Sequence, residues 1–481
     1  MERNTEITDL RCNLEAQEDL ISRICRIAGA PGLSVSVLHL GAEVYSHHFG
    51  HASVKDGKLP DGDTIYFIGS MTKAMVSALV VCRRYSSVQV RGARCISQPT
   101  VRAFRADFLY SNFAFEAVGR IIDGPLGMTR TSLDDELSKD PNAAKAYFPL
   151  LDGTPVEVPI PTISDKTIMA AAGGVRSCTN DLSRFFKNLM YAANDQFNHQ
   201  RTSTPGSPFK QLPTIWSLHN QLPMRSMREE SYALGWARTE LPSPLGSFNY
   251  NKHLVPAMPV IGRGLSFRLV VYHGGSMQGF TSAVYLLPET ETAVFALQNS
   301  TALCDACDWV PQMLVHTLLS GSPRSDIDFV QLATVSAARG AKLADEIEEK
   351  LQQSREKGTN PRLLKEYVGR FWHKSKSFHI DVTVDSNETM RMCFQGRPSE
   401  TYHLRHLHHD VFVWNEPHDM TARRGRFQTR PVESCRVRFG STSQGGAIDR
   451  LYWLYDETHA PLGMFIKEEG VRSAADFDMR N

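Results

Sequence analysis

Phe-Ile-Gly-Ser-Met-Thr-Lys, residues 67–73, is the stretch that decides how this sequence folds and what chemistry it offers. Apolar residues recur beyond it to about Cys82, which predicts a helix that begins at Ser70. Because Ser70 and Lys73 are three residues apart, they share one face of that helix, and the amine can reach the hydroxyl. The N–H groups and dipole at a helix N-terminus stabilise an oxyanion and lower the pKa of the lysine. The stretch therefore predicts a nucleophilic serine with a lysine as its general base.

The Ser-x-x-Lys pattern alone is weak evidence, because roughly two occurrences are expected by chance in a chain this long. It occurs here three times, at Ser70/Lys73, Ser207/Lys210 and Ser354/Lys357. Only Ser70 follows an apolar lead and starts an apolar helix, whereas the other two pairs lie in polar surroundings typical of a solvated surface. On this pattern alone, a structural N-cap at Ser70 stays open as the alternative.

A second candidate motif is Tyr110-Ser111-Asn112, the only Tyr-x-Asn in the chain. A tyrosine hydroxyl beside a lysine can relay the proton from the nucleophile to the leaving group. Asn112 could orient the lysine or a substrate carbonyl. The structural alternative is a buried tyrosine followed by an asparagine that caps a helix.

A third candidate motif is His273-Gly274-Gly275-Ser276 at the end of an apolar strand. His-x-Gly also occurs at His39 and His48, but only His273 ends a strand that could border a cleft. Gly275 would let the substrate approach the backbone closely, and the Ser276 amide could be a second oxyanion donor beside that of Ser70. A histidine is mostly neutral near pH 7, so His273 is expected to orient substrate by hydrogen bonds.

Taken together and in this order, the three motifs resemble those of the serine β-lactamase and penicillin-binding-protein superfamily, in particular its class C-like branch of esterases and D-aminopeptidases (peptidase family S12). The segments that support the resemblance are Pro31-Gly32-Leu33-Ser34-Val35, Tyr66-x-x-Gly69-Ser70, Pro125-Leu126-Gly127-Met128-Thr129, Ala172-Gly173-Gly174-Val175-Arg176-Ser177 with Asp181-Leu182, and Leu234-Gly235-Trp236. The resemblance implies an α+β fold with an antiparallel sheet flanked by helices, followed by a smaller all-β, lipocalin-like barrel.

The resemblance also implies a reaction in which Ser70 is acylated and then released to water or to another acceptor, without a cofactor or a metal. Lys73 is the expected base, Tyr110 the relay, and Asn112, His273 and Gly275 the orienting groups. The third motif of β-lactamases usually carries a lysine, so a histidine there argues against potent β-lactamase action. We expect a serine hydrolase acting on small esters or amides. The alternative with the same site is an acyltransferase or transesterase of specialised (secondary) metabolism.

A third alternative, a catalytically inactive binding homologue, arises from spacing. Only 40 positions separate Ser70 from Tyr110, where the family normally fits several helices and loops. Residues 83–105 hold six arginines and no acidic residue. The helical part of the catalytic domain is therefore predicted to be truncated around residues 83–107.

The pattern of predicted elements indicates a catalytic domain over residues 1–320, a helical linker over 321–359 and an antiparallel β domain over 360–481. Within these, the predicted helices are 5–28, Ser70–Cys82, Asn112–Asp123, one capped by Ser177, Asp305–Leu319 and a connecting helix within 326–356. The predicted strands are a hairpin over Leu33–Phe49, then Phe267–Tyr272, Thr281–Leu287, Ala293–Gln298 and short strands beyond Phe378. Residues 195–227 are predicted to form a surface loop.

Composition excludes several classes of protein. The chain has 481 residues, with 53 Lys+Arg against 52 Asp+Glu, so its formal net charge is only +1 and argues against a nucleic-acid partner. No apolar run approaches the roughly 18 residues that a membrane span needs, and no signal peptide is visible. Nine cysteines in a long chain do not indicate a disulfide framework. A cytoplasmic location is expected, and the oligomeric state stays open.

Two cysteine and histidine patterns are weaker hints of metal binding. Cys304-Asp305-Ala306-Cys307 is a single Cys-x-x-Cys at a predicted helix start, where ordinary helix cysteines are the favoured interpretation. The second pattern is a histidine-rich run in the β domain, comprising His403, His406, His408, His409 and Asp410. A solvated strand edge is the favoured interpretation of that run, with a metal site as the alternative.

Overall fold

The structure is a computed structural model, and it describes residues 2–80, 126–165, 167, 169–222, 229–427, 430–443, 445–455 and 462–469. Tyr110, Asn112 and the helix predicted at 112–123 lie outside these residues. The chain forms two compact units, Met1–Ala341 and Lys342–Asn481.

The first unit combines helices with an antiparallel sheet. Its described helices are α1 (Glu2–Glu15), α2 (Glu18–Ala28), α3 (Met71–Val80), α4 (Ala170–Gly173), α5 (Thr179–Asn198), α6 (Leu212–Ile215), α7 (Ala306–Ser320) and α8 (Phe329–Gly340). Its described strands are β1 (Gly32–His39), β2 (Ala42–Gly50), β3 (Tyr66–Phe67), β4 (Ala146–Pro149), β5 (Pro155–Val158), β6 (Arg176–Ser177), β7 (Asn220–Gln221), β8 (Glu230–Tyr232), β9 (Ala237–Leu241), β10 (Ser243–Pro244), β11 (Val260–Ile261), β12 (Arg268–Met277), β13 (Phe280–Leu287) and β14 (Thr292–Gln298).

Eight strands form one sheet in the order β2-β1-β14-β13-β12-β9-β8-β7. All described neighbours in it pair antiparallel. Every residue of β13 and β14 is buried, which requires cover on both faces of the sheet. The predicted hairpin and the three predicted strands of this sheet are confirmed.

Register assigns the helices to the two faces. His273, Val284 and Phe295 lie opposite one another on β12, β13 and β14, so they share a face. Phe295 packs against Phe186 of α5, and α3 contacts β12 and β13. Tyr285 follows Val284 and therefore points to the other face, where α7 packs on β13 and β14.

Two helix predictions near the sheet were wrong in detail. The predicted helix 5–28 is two helices, α1 and α2, separated at Ala16-Gln17. Gln17 is buried, and its amide donates to the carbonyl of Pro323 at 3.0 Å, so the side chain turns inward where the helix breaks. Ser177 does not cap a helix. It pairs with Tyr66 as part of β6, and α5 begins after Cys178 without a side-chain cap.

The predicted surface loop 195–227 is partly ordered structure. α5 extends to Asn198 because Gln196 is buried and binds the returning chain. Its amide donates to the Phe209 carbonyl, and its carbonyl oxygen accepts from the Leu212 amide, both at 3.0 Å. α6 and β7 also fall within this stretch, and Phe209, Leu212 and Trp216 are buried, so the part up to Leu222 is not simply a surface loop.

A polar network lies on the α7 face of the sheet. Tyr285 donates to Asp308 at 2.5 Å, and Gln312 and Asn251 donate to the same carboxyl group at 2.7 and 3.0 Å. Asn251 also accepts from the Asp305 amide at 2.8 Å. Burial raises the pKa of both the Asp305 and Asp308 carboxyls. The network joins α7 to the sheet; the three donors favour the ionised Asp308 carboxylate, but the effect of burial is larger and the net shift is upward.

The second unit is an all-β domain with two helices, α9 (Leu343–Gln353) and α10 (His418–Arg423). Its described strands are β15 (Gly369–His373), β16 (His379–Val384), β17 (Met390–Phe394), β18 (Thr401–His403), β19 (Arg405–His408), β20 (Val411–Val413), β21 (Arg436–Gly440), β22 (Arg450–Trp453) and β23 (Gly463–Lys467). They form one antiparallel sheet in the order β18-β17-β16-β15-β23-β22-β21-β20-β19. The strands at the two ends of this order, β18 and β19, are consecutive in the chain and separated only by Leu404. The two edges of the sheet therefore lie close together, and the sheet is a nearly closed barrel.

The barrel encloses an apolar, largely aromatic core. The strand predicted from alternation is confirmed as β16, where Ile380 and Val382 are fully buried; Asp381 between them is buried too and accepts from Arg370 at 2.7 Å. The single connecting helix predicted within 326–356 is instead α8 and α9, which belong to different units. Leu351 of α9 packs with Leu407, Val413 and Cys435 beneath the barrel wall.

Membrane insertion by a helix finds no support in the part of the chain that the structure describes. None of its helices combines the length and hydropathy that crossing a bilayer requires.

We predict that Asp305→Asn makes the stability of the protein less dependent on pH. A carboxyl whose folded-state pKa is raised stabilises the fold while protonated, so stability falls as pH rises above the ordinary aspartate value of about 4. Asparagine is isosteric and cannot ionise. The free energy of unfolding in urea, measured at a series of pH values, should decline less steeply in this variant than in the parent. Asp9→Asn, at an exposed position on α1, is the control. Equal slopes in parent and Asp305→Asn would contradict the prediction.

Candidate active site

The structure brings Ser70 and Lys73 together as the sequence predicts. α3 begins at Met71, directly after Ser70, and its first turn closes with the Lys73 amide donating to the Ser70 carbonyl at 2.9 Å. The side-chain atoms Lys73 Nζ and Ser70 Oγ are 3.0 Å apart. A serine at the N-terminus of a helix, in hydrogen-bond contact with an amine, has the geometry of an activated nucleophile.

Lys73 is fully buried, and its surroundings favour the neutral amine. Nζ donates to the main-chain carbonyl of Ala172 at 2.6 Å. Burial lowers the pKa of Lys73 to about 7, so the uncharged amine is well populated at neutral pH. The lone pair of that amine can accept the Ser70 proton while an N–H group still binds Ala172.

The segment around Ala172 is fixed to the start of α3 by backbone pairing. β6 pairs with β3, placing Arg176 opposite Phe67. The Ile68 amide donates to the Val175 carbonyl at 3.0 Å, and the Val175 amide donates to the Thr72 hydroxyl at 3.2 Å. These bonds hold the Ala172 carbonyl over the lysine.

Two glycines allow the end of β12 to lie against the chain that carries Ser70. Gly69 has a φ of +51°, and a Cβ atom there would lie 2.6 Å from the Ser276 amide nitrogen. A Cβ atom on Gly275 would lie 2.0 Å from the Ile68 carbonyl oxygen. The Ser282 hydroxyl of β13 donates to that same carbonyl at 2.7 Å. The backbones of Gly69 and Ser276 are thus neighbours, with Ser276 exposed.

His273 lies in the same part of the molecule and is neutral. Burial and the nearby charge of Lys73 lower the pKa of His273 to about 3. Nδ1 is 2.5 Å from the Gly274 carbonyl oxygen, which can only accept, so Nδ1 carries the proton. Nε2 then accepts from the Tyr232 hydroxyl at 3.0 Å. The pairing fixes one tautomer of the imidazole.

Tyr232 is a site residue that the sequence reasoning missed. It ends β8 opposite Ala237 of β9, which in turn lies opposite Tyr272 of β12, and this register carries its hydroxyl to His273. Phe248 stacks on the His273 ring, with centroids 5.6 Å apart. The only sequence signal was the position of Tyr232 just before the Leu234-Gly235-Trp236 segment.

The competing motif matches lie elsewhere. Lys210 and Lys357 are exposed, and the Ser354 hydroxyl donates to the Leu351 carbonyl at 2.7 Å. His39 and His48 lie on β1 and β2, where they contact Thr292 and Ser34. The three-dimensional positions of these matches agree with their exclusion from the site on sequence context.

Cys304 and Cys307 are fully buried free thiols. Burial raises the pKa of each well above its ordinary value. Such thiols do not form thiolates near neutral pH, which agrees with the structural interpretation of this Cys-x-x-Cys.

Comparison with known families gives two matches. The family model described as Beta-lactamase matches residues 18–85 and 93–309, together more than half of the chain. Its second stretch contains Tyr110 and Asn112. A family described as a domain of unknown function (DUF3471) matches residues 353–457, within the barrel unit. None of the curated proteins matches the chain.

Solved structures with a similar fold include penicillin-binding-protein relatives. The octameric penicillin-binding protein homologue from Pyrococcus abyssi is 17% identical, with 94% of this chain and 99% of that one covered and a TM-score of 0.46. The D-alanine carboxypeptidase AmpC from Burkholderia cenocepacia is 18% identical, covering 65% and 99%, with a TM-score of 0.47. A β-lactamase from Sulfitobacter sp. EE-36 is 15% identical, covering 65% and 98%, with a TM-score of 0.45. The expected α+β fold, an antiparallel sheet flanked by helices and followed by a barrel, is confirmed.

We predict that the reactivity of Ser70 rises with pH and levels off above about pH 7, because only the neutral Lys73 amine can accept the Ser70 proton. The measurement is the rate of covalent labelling by a fluorophosphonate between about pH 5 and pH 10. His273 stays neutral over this range, so one inflection is expected. Lys73→Ala should remove the inflection, and Lys210→Ala should keep it. An inflection near the ordinary lysine pKa of about 10 would contradict the assignment.

Proposed function

Because this chain belongs to the β-lactamase family, whose members are serine hydrolases and acyl-transferring enzymes, we propose that it hydrolyses small esters or amides through an acyl-enzyme on Ser70. The observation that carries the proposal is the 3.0 Å contact between the Ser70 hydroxyl and the buried amine of Lys73. A structural cap would not need a desolvated lysine with a pKa lowered to about 7.

In the proposed reaction, Ser70 Oγ attacks the acyl carbonyl while its proton passes to Lys73 Nζ. The carbonyl oxygen becomes an oxyanion, which the amides of Ser70 and Ser276 stabilise. The intermediate collapses by breaking the bond to the leaving alcohol or amine, which receives a proton relayed through Tyr110. Water, deprotonated by the same base, then attacks the acyl-enzyme, releasing the acid and restoring Ser70.

The third motif supports a substrate without an essential carboxylate. His273 is uncharged and buried, with both ring nitrogens hydrogen-bonded inside the protein, so it does not attract an anion as a lysine would. Tyr232 and Phe248 pack around its ring and add an apolar, aromatic surface next to it. These features favour an uncharged ester or amide and the class C-like, S12-type branch of the family, with Asn112, His273 and Gly275 as orienting groups.

We predict a burst of nitrophenol when the protein meets p-nitrophenyl esters of short acids, because acylation of Ser70 precedes its slower release. Ser70→Ala should abolish both the burst and labelling by a fluorophosphonate. Ser207→Ala, in another Ser-x-x-Lys pair, is the matched control and should leave both intact. Faster acyl release with added alcohols would identify a transferase. Absence of labelling, or labelling that survives Ser70→Ala, would instead favour the inactive binding homologue.

We predict that Tyr110 contributes more to catalysis than Tyr232. Tyr110→Phe removes the proposed proton relay, and the expected fall in kcat is about 100-fold or more. Tyr232→Phe removes only the hydrogen bond that orients His273, and the expected fall in kcat/KM is about 10-fold. Steady-state kinetics on one ester substrate compare the two variants. If Tyr232→Phe lowered the activity more than Tyr110→Phe did, Tyr232 would be the proton relay and Tyr110 the orienting residue.

A further inference from the structure

The histidine-rich run of the barrel unit contains a cluster of three side chains with metal-ligating atoms. His408 and His409 are adjacent in sequence at the end of β19, and Glu356 follows α9. One nitrogen of each imidazole and a carboxylate oxygen of Glu356 all lie within 4.8 Å of one another. The histidines stand out as a run in the sequence, but nothing in that run indicates the glutamate.

Both distances from Glu356 to the histidines are near the ligand spacing of a tetrahedral centre. Glu356 Oε2 is 3.1 Å from His409 Nε2, and Glu356 Oε1 is 3.8 Å from His408 Nδ1. Ligands bonded to a tetrahedral ion at about 2.0–2.1 Å lie roughly 3.3 Å apart. Small side-chain rotations would therefore bring all three ligand atoms to bonding distance of one ion.

The backbone is shaped so that both imidazoles face the same carboxylate. Consecutive residues of a regular strand point to opposite faces. Here the pairing with β20 shifts register between His406 and His408, and His409 has a φ of +45°. The His406 ring donates to the His409 carbonyl at 2.9 Å and holds this turn. A positive φ is uncommon outside glycine, and histidine is among the residues that adopt it most readily, so this turn suits His409.

His408 also has an unsatisfied group aimed at this point. Its Nδ1 is inaccessible to solvent and, within the described residues, has no hydrogen-bond partner. A buried ring nitrogen without a partner is unfavourable unless a ligand completes it. The remaining two ligands are accessible, since His409 and Glu356 are 67% and 56% exposed, so an ion could enter.

Hydrogen bonds to the barrel hold the segment that precedes Glu356 in place. Arg405 donates to both oxygens of Glu348 on α9, at 2.8 and 2.7 Å, and these bonds help to lower the pKa of Glu348 to about 2. Arg436 donates to the Ser354 hydroxyl at 3.1 Å. These contacts anchor both ends of the stretch that leads to Glu356.

We propose that Glu356, His408 and His409 bind a divalent transition-metal ion of the zinc type. Two imidazole nitrogens and one carboxylate are ligands that suit Zn²⁺, Ni²⁺ or Cu²⁺, whereas Ca²⁺ and Mg²⁺ prefer oxygen ligands alone. The three protein ligands leave a fourth position for water. The ion would tie the segment after α9 to the β19–β20 turn, within the barrel unit.

The test is titration of the chelator-treated, untagged full chain with zinc chloride, followed by calorimetry. We expect one ion to bind per chain, and His409→Asn, His408→Asn or Glu356→Gln each to weaken binding at least 10-fold. Asparagine at position 409 keeps the left-handed backbone accessible. His403→Ala, at an exposed histidine on β18, is the matched control and should bind like the parent.

Circular dichroism of each variant confirms that it is folded before its affinity is compared. Binding that Glu356→Gln and His409→Asn both leave unchanged would overturn the proposal, as would the absence of binding by the parent chain. In either case the contact between His409 and Glu356 is an ordinary hydrogen bond and not part of a metal site. Because the Ser70→Ala protein should bind zinc like the parent, the outcome is independent of the proposed hydrolase activity.

Discussion

The burial of Lys73 is the constraint on which the rest of the site depends. A buried lysine loses hydration, so its uncharged form becomes well populated at neutral pH when its surroundings enclose it and satisfy its N–H groups. The Ala172 carbonyl meets that need, and the pairing of β3 with β6 fixes its position. The same enclosure places the Lys73 amine 3.0 Å from the Ser70 hydroxyl, whose proton it can accept. An exposed lysine at this spacing, as at Ser207/Lys210, has no such effect.

The central sheet separates two kinds of polar chemistry by the alternation of side chains. One face presents His273 beside α3, close to Ser70, Lys73 and the exposed Ser276 of the candidate site. The other face presents Tyr285 to the buried carboxyl of Asp308 on α7, where hydrogen bonds join helix to sheet. In both networks, burial disfavours the charged form of the titratable groups. Their roles differ because the His273 network lies near the exposed Ser276, whereas the Asp308 network is buried.

The sequence was sufficient to predict what rests on local periodicity. Ser70 and Lys73 meet because i, i+3 spacing brings them together on any helix, and β16 follows from strict alternation. Contacts between segments distant in sequence were not predictable, such as that of Tyr232 with His273, set by strand register, or that of Glu356 after α9 with His408. Ser177 had the chemistry of an N-cap, but pairing with Tyr66 took precedence. Tyr110 and Asn112, outside the described residues, stay predictions.

The contact between Ser282 and Ile68 has a consequence for biosynthesis. These residues are 214 positions apart, yet the serine hydroxyl of β13 holds the carbonyl that precedes the nucleophile by two residues. During translation Ser70 leaves the ribosome long before β12 and β13 exist. Its helix can form early, but the enclosure that neutralises Lys73 cannot. The nascent chain therefore carries an ordinary serine, and the reactivity proposed for Ser70 can arise only when synthesis of the sheet is complete.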